Sequence, residues 1–173
     1  MTIKELPDIE KLKIGIVEEL HNASSFKSFR SFEVARLMDY WVTGQKQARV
    51  KTYDDFIQQF NDEQLLNLMI YRREGEDGLF IMYMGSECQR CLNFEGHNKP
   101  FEEGMPPQNQ EAVKRLVLHA MDTGVPTYTI KTLKWNNDAS ILYEALFLPV
   151  LAEPGDQRAD YLFCPMSFEH LSD

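Results

Sequence analysis

Apolar and polar positions along the chain follow two rhythms, one of about 3.6 residues and one of two. Ser31 followed by Glu33, Val34, Leu37, Met38 and Trp41 places apolar side chains on one helical stripe. A helix is predicted over 32–43, capped by Ser31 and closed by Gly44. Residues 53–66 suggest a loop and a short helix, with Asn61 or Asp62 as cap and Gln64 just inside. Two short apolar runs then flank the turn Glu74-Gly75-Glu76-Asp77-Gly78 and predict a hairpin of strands 68–72 and 79–84. The second run is apolar on both faces, which predicts a strand central in its sheet. Glycine and proline break residues 86–105 into short helices and loops.

The longest helical stripe, Ala112, Val113, Leu116, Val117, Ala120 and Met121, predicts a helix from Pro107 to Thr123 stopped by Gly124. Three strand-like runs follow, 127–135, 141–150 and 159–166, separated by Asn136-Asn137-Asp138 and Glu153-Pro154-Gly155-Asp156. Tight turns impose antiparallel pairing, and only the helical connection after the second strand is long enough to cross the sheet. The expected class is therefore α/β of the α+β type, a five-stranded antiparallel sheet with helices on one face. The N-terminal helix is left to cover the other face or a second subunit. Residues 1–31 form an arm, helical or extended around Gly15; residues 32–168 form the domain; residues 169–173 form a tail.

Composition narrows the function. The 173 residues carry 27 acidic and 18 basic side chains, a formal charge of −9. The densest basic stretch holds only Lys46, Arg49 and Lys51, so neither nucleic acid nor an anionic membrane is an expected partner. No run approaches the roughly 20 apolar residues of a membrane span. The charged N-terminus lacks a signal-peptide core, and three cysteines make no disulfide framework. A cytoplasmic protein is expected.

Cys88-Gln89-Arg90-Cys91 is the sharpest chemical motif. Such a pair suits thiol redox chemistry or half a zinc site, which His97 and the distant Cys164 would complete. The plainer reading is a short helix whose cysteines, three residues apart, face the core. The four histidines, His21, His97, His119 and His170, have no metal-ligand spacing. Glu144 lies between Leu142 and Leu146 on one face of a strand, where an ionised carboxylate needs a partner; Lys131 or Lys134 is expected to supply it. Alternatively, Glu144 anchors a ligand. The strand aromatics are read as mostly core, with a subset lining a cavity. Nucleophile elbows, phosphate loops and zinc-protease motifs are absent from the sequence, so no catalytic residue is named and a non-enzyme is expected.

Leu37-Met38-Asp39-Tyr40-Trp41 resembles the Leu-x-x-Tyr-Trp helix that opens short stand-alone PAS proteins of proteobacteria. Asp55-Phe56, Met84-Gly85-Ser86, Thr123-Gly124-Val125-Pro126, Tyr143-Glu144 and Leu148-Pro149-Val150 are similar to that family's later landmarks, over roughly residues 32–166. The resemblance weakens after Gly85, at Asn93 to Lys99, the segment that borders the ligand cavity of PAS domains. It implies a sensory or regulatory module of bacterial signalling that binds a small molecule, docks a partner protein, or both, and pairs as a homodimer. It carries no output domain of its own. Tyr83, Phe94, His97, Trp135 and Glu144 are the ligand-binding residues it suggests, with no cofactor required. The competing readings are a thiol-redox or metal protein using Cys88 and Cys91, and a ligand-free interaction domain.

Overall fold

The computed structural model describes residues 15, 16, 31–46, 52–136 and 139–171. Two parts of the sequence reading fall mostly outside them. The arm contributes only Gly15, Ile16 and Ser31, and His21 is not described.

Strand β1 is the pair Gly15–Ile16, and helix α1 spans Phe32–Lys46. Helices α2 (Tyr53–Ile57) and α3 (Asp62–Leu65) lead into the hairpin β2 (Leu68–Glu74) and β3 (Gly78–Met84). Helix α4 (Ser86–Leu92), the two-residue strand β4 (Lys99–Pro100), α5 (Phe101–Gly104) and α6 (Pro107–Thr123) form the crossover. The meander β5 (Thr127–Asn136), β6 (Ala139–Val150) and β7 (Tyr161–Leu171) follows. The sheet order is β1-β5-β6-β7-β2-β3-β4. All pairings are antiparallel except β1 with β5. The architecture is α+β, with six antiparallel strands and helices.

Local chemistry explains most boundaries. Ser31 caps α1 through its Oγ, which accepts the Val34 N–H at 3.4 Å. Asn61 and Gln64 cap α3 reciprocally: each side-chain oxygen takes the other's backbone N–H, at 2.8 and 3.0 Å. Pro107 opens α6 and Gly124, at φ 65°, ends it. Gly44 does not end α1, which runs on to Lys46. Gly85 turns the chain from β3 into α4, and a Cβ there would lie 2.3 Å from the carbonyl oxygens of Leu65 and Leu66. Only glycine allows the strand end to lie against that turn.

The short strands β1 and β4 add to the five strands expected, and of the two places left open for the N-terminal helix, it takes the other face of the sheet. Helices lie on both faces of the sheet. On the inner face, α4, α5 and α6 cover Met69, Tyr71, Leu79, Ile81, Ala145, Phe147, Leu162 and Cys164. On the outer face, α1 and α2 cover Leu68, Ile70, Tyr128, Leu146, Leu148, Val150 and Phe163. The stripe Val34, Leu37, Met38, Trp41 and Val42 thus finds its cover in the same chain, and no second copy is needed to bury it. The indole N–H of Trp41 donates to the Pro149 carbonyl at 2.9 Å, tying α1 to β6. Leu37 is buried beside it, while Tyr40 turns its ring edge to Phe56, 5.2 Å away.

Strand β3 is not central either; it stands between β2 and the short β4. Its outward residues are apolar because they have local covers. The Arg72 guanidinium lies 4.9 Å from the Phe80 ring centre, and the Tyr83 hydroxyl donates to the Leu65 carbonyl at 2.9 Å. Arg73, its side chain buried, donates to the Glu76 carbonyl at 2.7 Å and pairs with Asp122 at 2.5 Å, fastening the hairpin to the end of α6. Strand β7 continues to Leu171, past the residue where the sequence suggests a tail. No helix among the described residues is long and apolar enough to cross a membrane.

Candidate functional site

Between the inner sheet face and α4–α6 lies a cavity of about 200 Å³. Its origin is a shortage of side-chain volume. Strand β5 presents Thr129 and β6 presents Ala145 as direct cross-strand partners, and α6 presents Ala112 above them. These small residues leave space that Met69, Tyr71, Met105, Leu116, Phe147 and Met166 surround but do not fill.

The wall is apolar at depth and polar toward solvent. Asn109 is exposed, Lys131 and Tyr143 are half-buried, and Thr129 is buried. The Thr129 hydroxyl makes no hydrogen bond within the protein. Buried hydroxyls are normally satisfied, so this one marks the wall as a place where a polar atom is expected to be met. The Thr127 hydroxyl, one strand step away on the same face, is also without a partner but is not part of the wall. The hydroxyl of Tyr71 donates only to the Met69 thioether, at 3.6 Å, a weak acceptor. Burial holds the Tyr71 phenol well above its ordinary pKa, with Cys164 and Cys88 adding to the effect, so it stays a donor.

The residues named from sequence scatter around this cavity. Of the four ligand candidates whose side chains are described, Phe94 lines it and three do not. Tyr83 belongs to the outer-face cluster. His97 is exposed; its Nδ1 accepts the Met84 N–H at 3.2 Å, and its ring meets Tyr83 edge-on at 5.5 Å. Trp135 stands on β5, but its side chain is outside the described part.

Glu144 points to the opposite face of the sheet. Buried to 1% exposure, its carboxylate accepts the Ser31 N–H at 3.0 Å, the Ser167 hydroxyl at 3.2 Å and the Tyr128 hydroxyl at 2.5 Å. A carboxylate thus joins three strands to the first turn of α1, where the helix dipole also favours negative charge. Of the two lysines expected as its partner, Lys131 leaves β5 on the inner face and lines the cavity, and the side chain of Lys134 lies outside the described residues. Glu144 does not line the cavity, and its role is to anchor α1.

The cysteines face inward. Cys88 and Cys91 lie on α4 and Cys164 on β7, all buried with free thiols. The Cys88 sulfur sits 3.9 Å from the Met166 sulfur. Burial raises the pKa of all three, strongly for Cys88 and Cys164. Nucleophilic and metal-binding thiols need the reverse shift. Among the described residues no three of His, Cys, Asp and Glu come together as a metal-holding set, so the Cys88, Cys91, Cys164 and His97 set is not assembled. His119 is exposed on α6 and His170 on β7.

These thiols carry a pH prediction. Their folded-state pKa values are raised, so the native protein keeps protons that the unfolded chain releases above pH ~8.5. Stability is then full below that pH and falls as pH rises further. Urea midpoints are expected to drop between pH 7.5 and pH 10, and the drop to shrink in Cys88→Ala/Cys164→Ala protein. An identical drop in the double variant would assign it to other groups.

No protein-family model matches the sequence, and no curated protein aligns with it significantly.

Proposed function

We propose that the chain is a sensory or regulatory module of the PAS kind in bacterial signalling. It binds a small molecule in the cavity beneath α6 and acts through a partner protein, without catalysing a reaction itself. The observation that carries this reading is the cavity with the unpartnered Thr129 hydroxyl in its wall. The sheet order supports it: the crossover α4–α6 carries the chain from the β3 side to β5 on the far side, and encloses the cavity on its way. Three independent side chains would each have closed the space had they been larger, which suits a pocket better than a packing accident. The raised thiol pKa values argue against the redox alternative.

A small neutral aromatic, indole, tests the cavity. A cavity of ~150 Å³ lined by apolar side chains takes benzene, so the present volume has room for one or two fused rings. Millimolar indole is expected to raise the melting temperature of the protein by stabilising only the folded state. Ala145→Leu fills the floor of the cavity and is expected to remove that rise. No rise in the natural protein, or an equal rise in the filled one, would refute the reading.

A further inference from the structure

Thr129 stands where the volume is missing, opposite Ala145 and beneath Ala112. Among the described residues, the buried side-chain atoms without a hydrogen bond are Arg73 Nε, Thr127 Oγ1, Thr129 Oγ1 and Asp160 Oδ1. Of these residues only Thr129 belongs to the cavity wall. The rest of that wall is soft and aromatic. Met69, Met105 and Met166 bring thioethers to it, and Phe94, Tyr143 and Phe147 bring rings. Lys131, its one charged residue, has an interaction of its own within the protein.

Resting on the reading of this cavity as a binding site, we infer that its ligand is an uncharged aromatic molecule, one or two rings with a polar atom on the rim. The polar atom meets the Thr129 hydroxyl. A hydroxyl both donates and accepts, so a phenolic O–H, a ring N–H or a ring carbonyl can satisfy it. A full charge brought to the same depth would exchange its hydration for one neutral hydrogen bond, which does not compensate the loss. The rings and thioethers favour a flat π-system over a saturated body of equal volume, because ring edges and sulfur both make specific contacts with aromatic rings. The methionine side chains are flexible enough to close on one ring or on two. An aromatic hydrocarbon would fit the space but leave the Thr129 hydroxyl unsatisfied.

Titration of the full chain at pH 7, followed by protein NMR, tests this with five probes: phenol, toluene, cyclohexanol, benzoate and benzylamine. Cyclohexanol carries the polar atom of phenol without its π-system, and the last two carry a charge of either sign. Phenol is expected to bind about fivefold tighter than cyclohexanol and tighter than both charged probes. Thr129→Val keeps the shape of the wall and removes the hydroxyl. It is expected to weaken phenol about fivefold and to leave toluene unchanged within about twofold. Unchanged toluene affinity shows that the variant folds and keeps the cavity. If cyclohexanol or a charged probe matches phenol, or Thr129→Val leaves the phenol-to-toluene ratio intact, the ligand class is wrong while the cavity stands as a site. Failure of all five probes overturns both.

Discussion

Replacing Glu144 by leucine is expected to cost about 4 kcal/mol of stability and to release the first turn of α1 from the sheet. The side chain is of suitable size for the site, so the loss comes from the groups it abandons. Ser31 N–H, the Tyr128 hydroxyl and the Ser167 hydroxyl would each lose their acceptor. An unsatisfied buried donor costs about 1–3 kcal/mol, and the three share one site, so their costs do not simply add. Glu144→Gln keeps one acceptor oxygen and is expected to lose about 1–2 kcal/mol. Urea unfolding followed by tryptophan fluorescence checks both, because Trp41 rides on α1. A Glu144→Leu loss under about 1 kcal/mol would mean that the donors find other acceptors.

The second large effect is expected at Phe163. Its ring is fully buried on the outer face, at centroid distances of 5.4 Å from Tyr53, 5.4 Å from Phe56 and 5.8 Å from Phe60. It is the floor on which α2 and the turn after it rest. Phe163→Ala removes the floor and opens a hole that the rigid strand cannot close, at a cost of about 4 kcal/mol. Phe163→Leu retains most of the volume and is expected to cost about 1.5 kcal/mol. Equilibrium denaturation with an unchanged slope is the readout. Equal losses for the two variants would show that ring contacts, not volume, hold α2.

Features written in one stretch of chain were legible in the sequence. The limits of α6 follow from Pro107, Gly124 and the stripe between them, and the capping of α3 from Asn61 and Gln64. The hairpin follows from the turn at Gly75 and Gly78, although its strands run two residues and one residue further toward the turn than their apolar runs. Features that depend on which strands become neighbours were not. Apolar residues on both sides of β3 suggested a central strand, yet a guanidinium and a short helix supply that cover near the edge. The cavity is harder still to foresee. It arises from volume missing at Ala112, Thr129 and Ala145, three ordinary residues brought together by the crossover and the strand register. Aromatic and titratable residues drew attention to Tyr83, His97 and Glu144, whereas the wall is made largely of small and aliphatic ones. Glu144 was correctly singled out as a carboxylate in need of partners, and those include two hydroxyls and an N–H, which sequence spacing did not suggest.

The pairing of β2 with β7 has a consequence for how the molecule holds together. It joins Arg72 to Tyr161 and Leu68 to Pro165, residues far apart in sequence, while every other long pairing in the sheet links strands that follow one another in the chain. The entropy of closing a long loop therefore falls on this single seam. On one side stands a hairpin and on the other a three-strand meander, each with local contacts but with neither face of its own sealed. The seam makes one cooperative unit of two halves that could otherwise form separately but not persist.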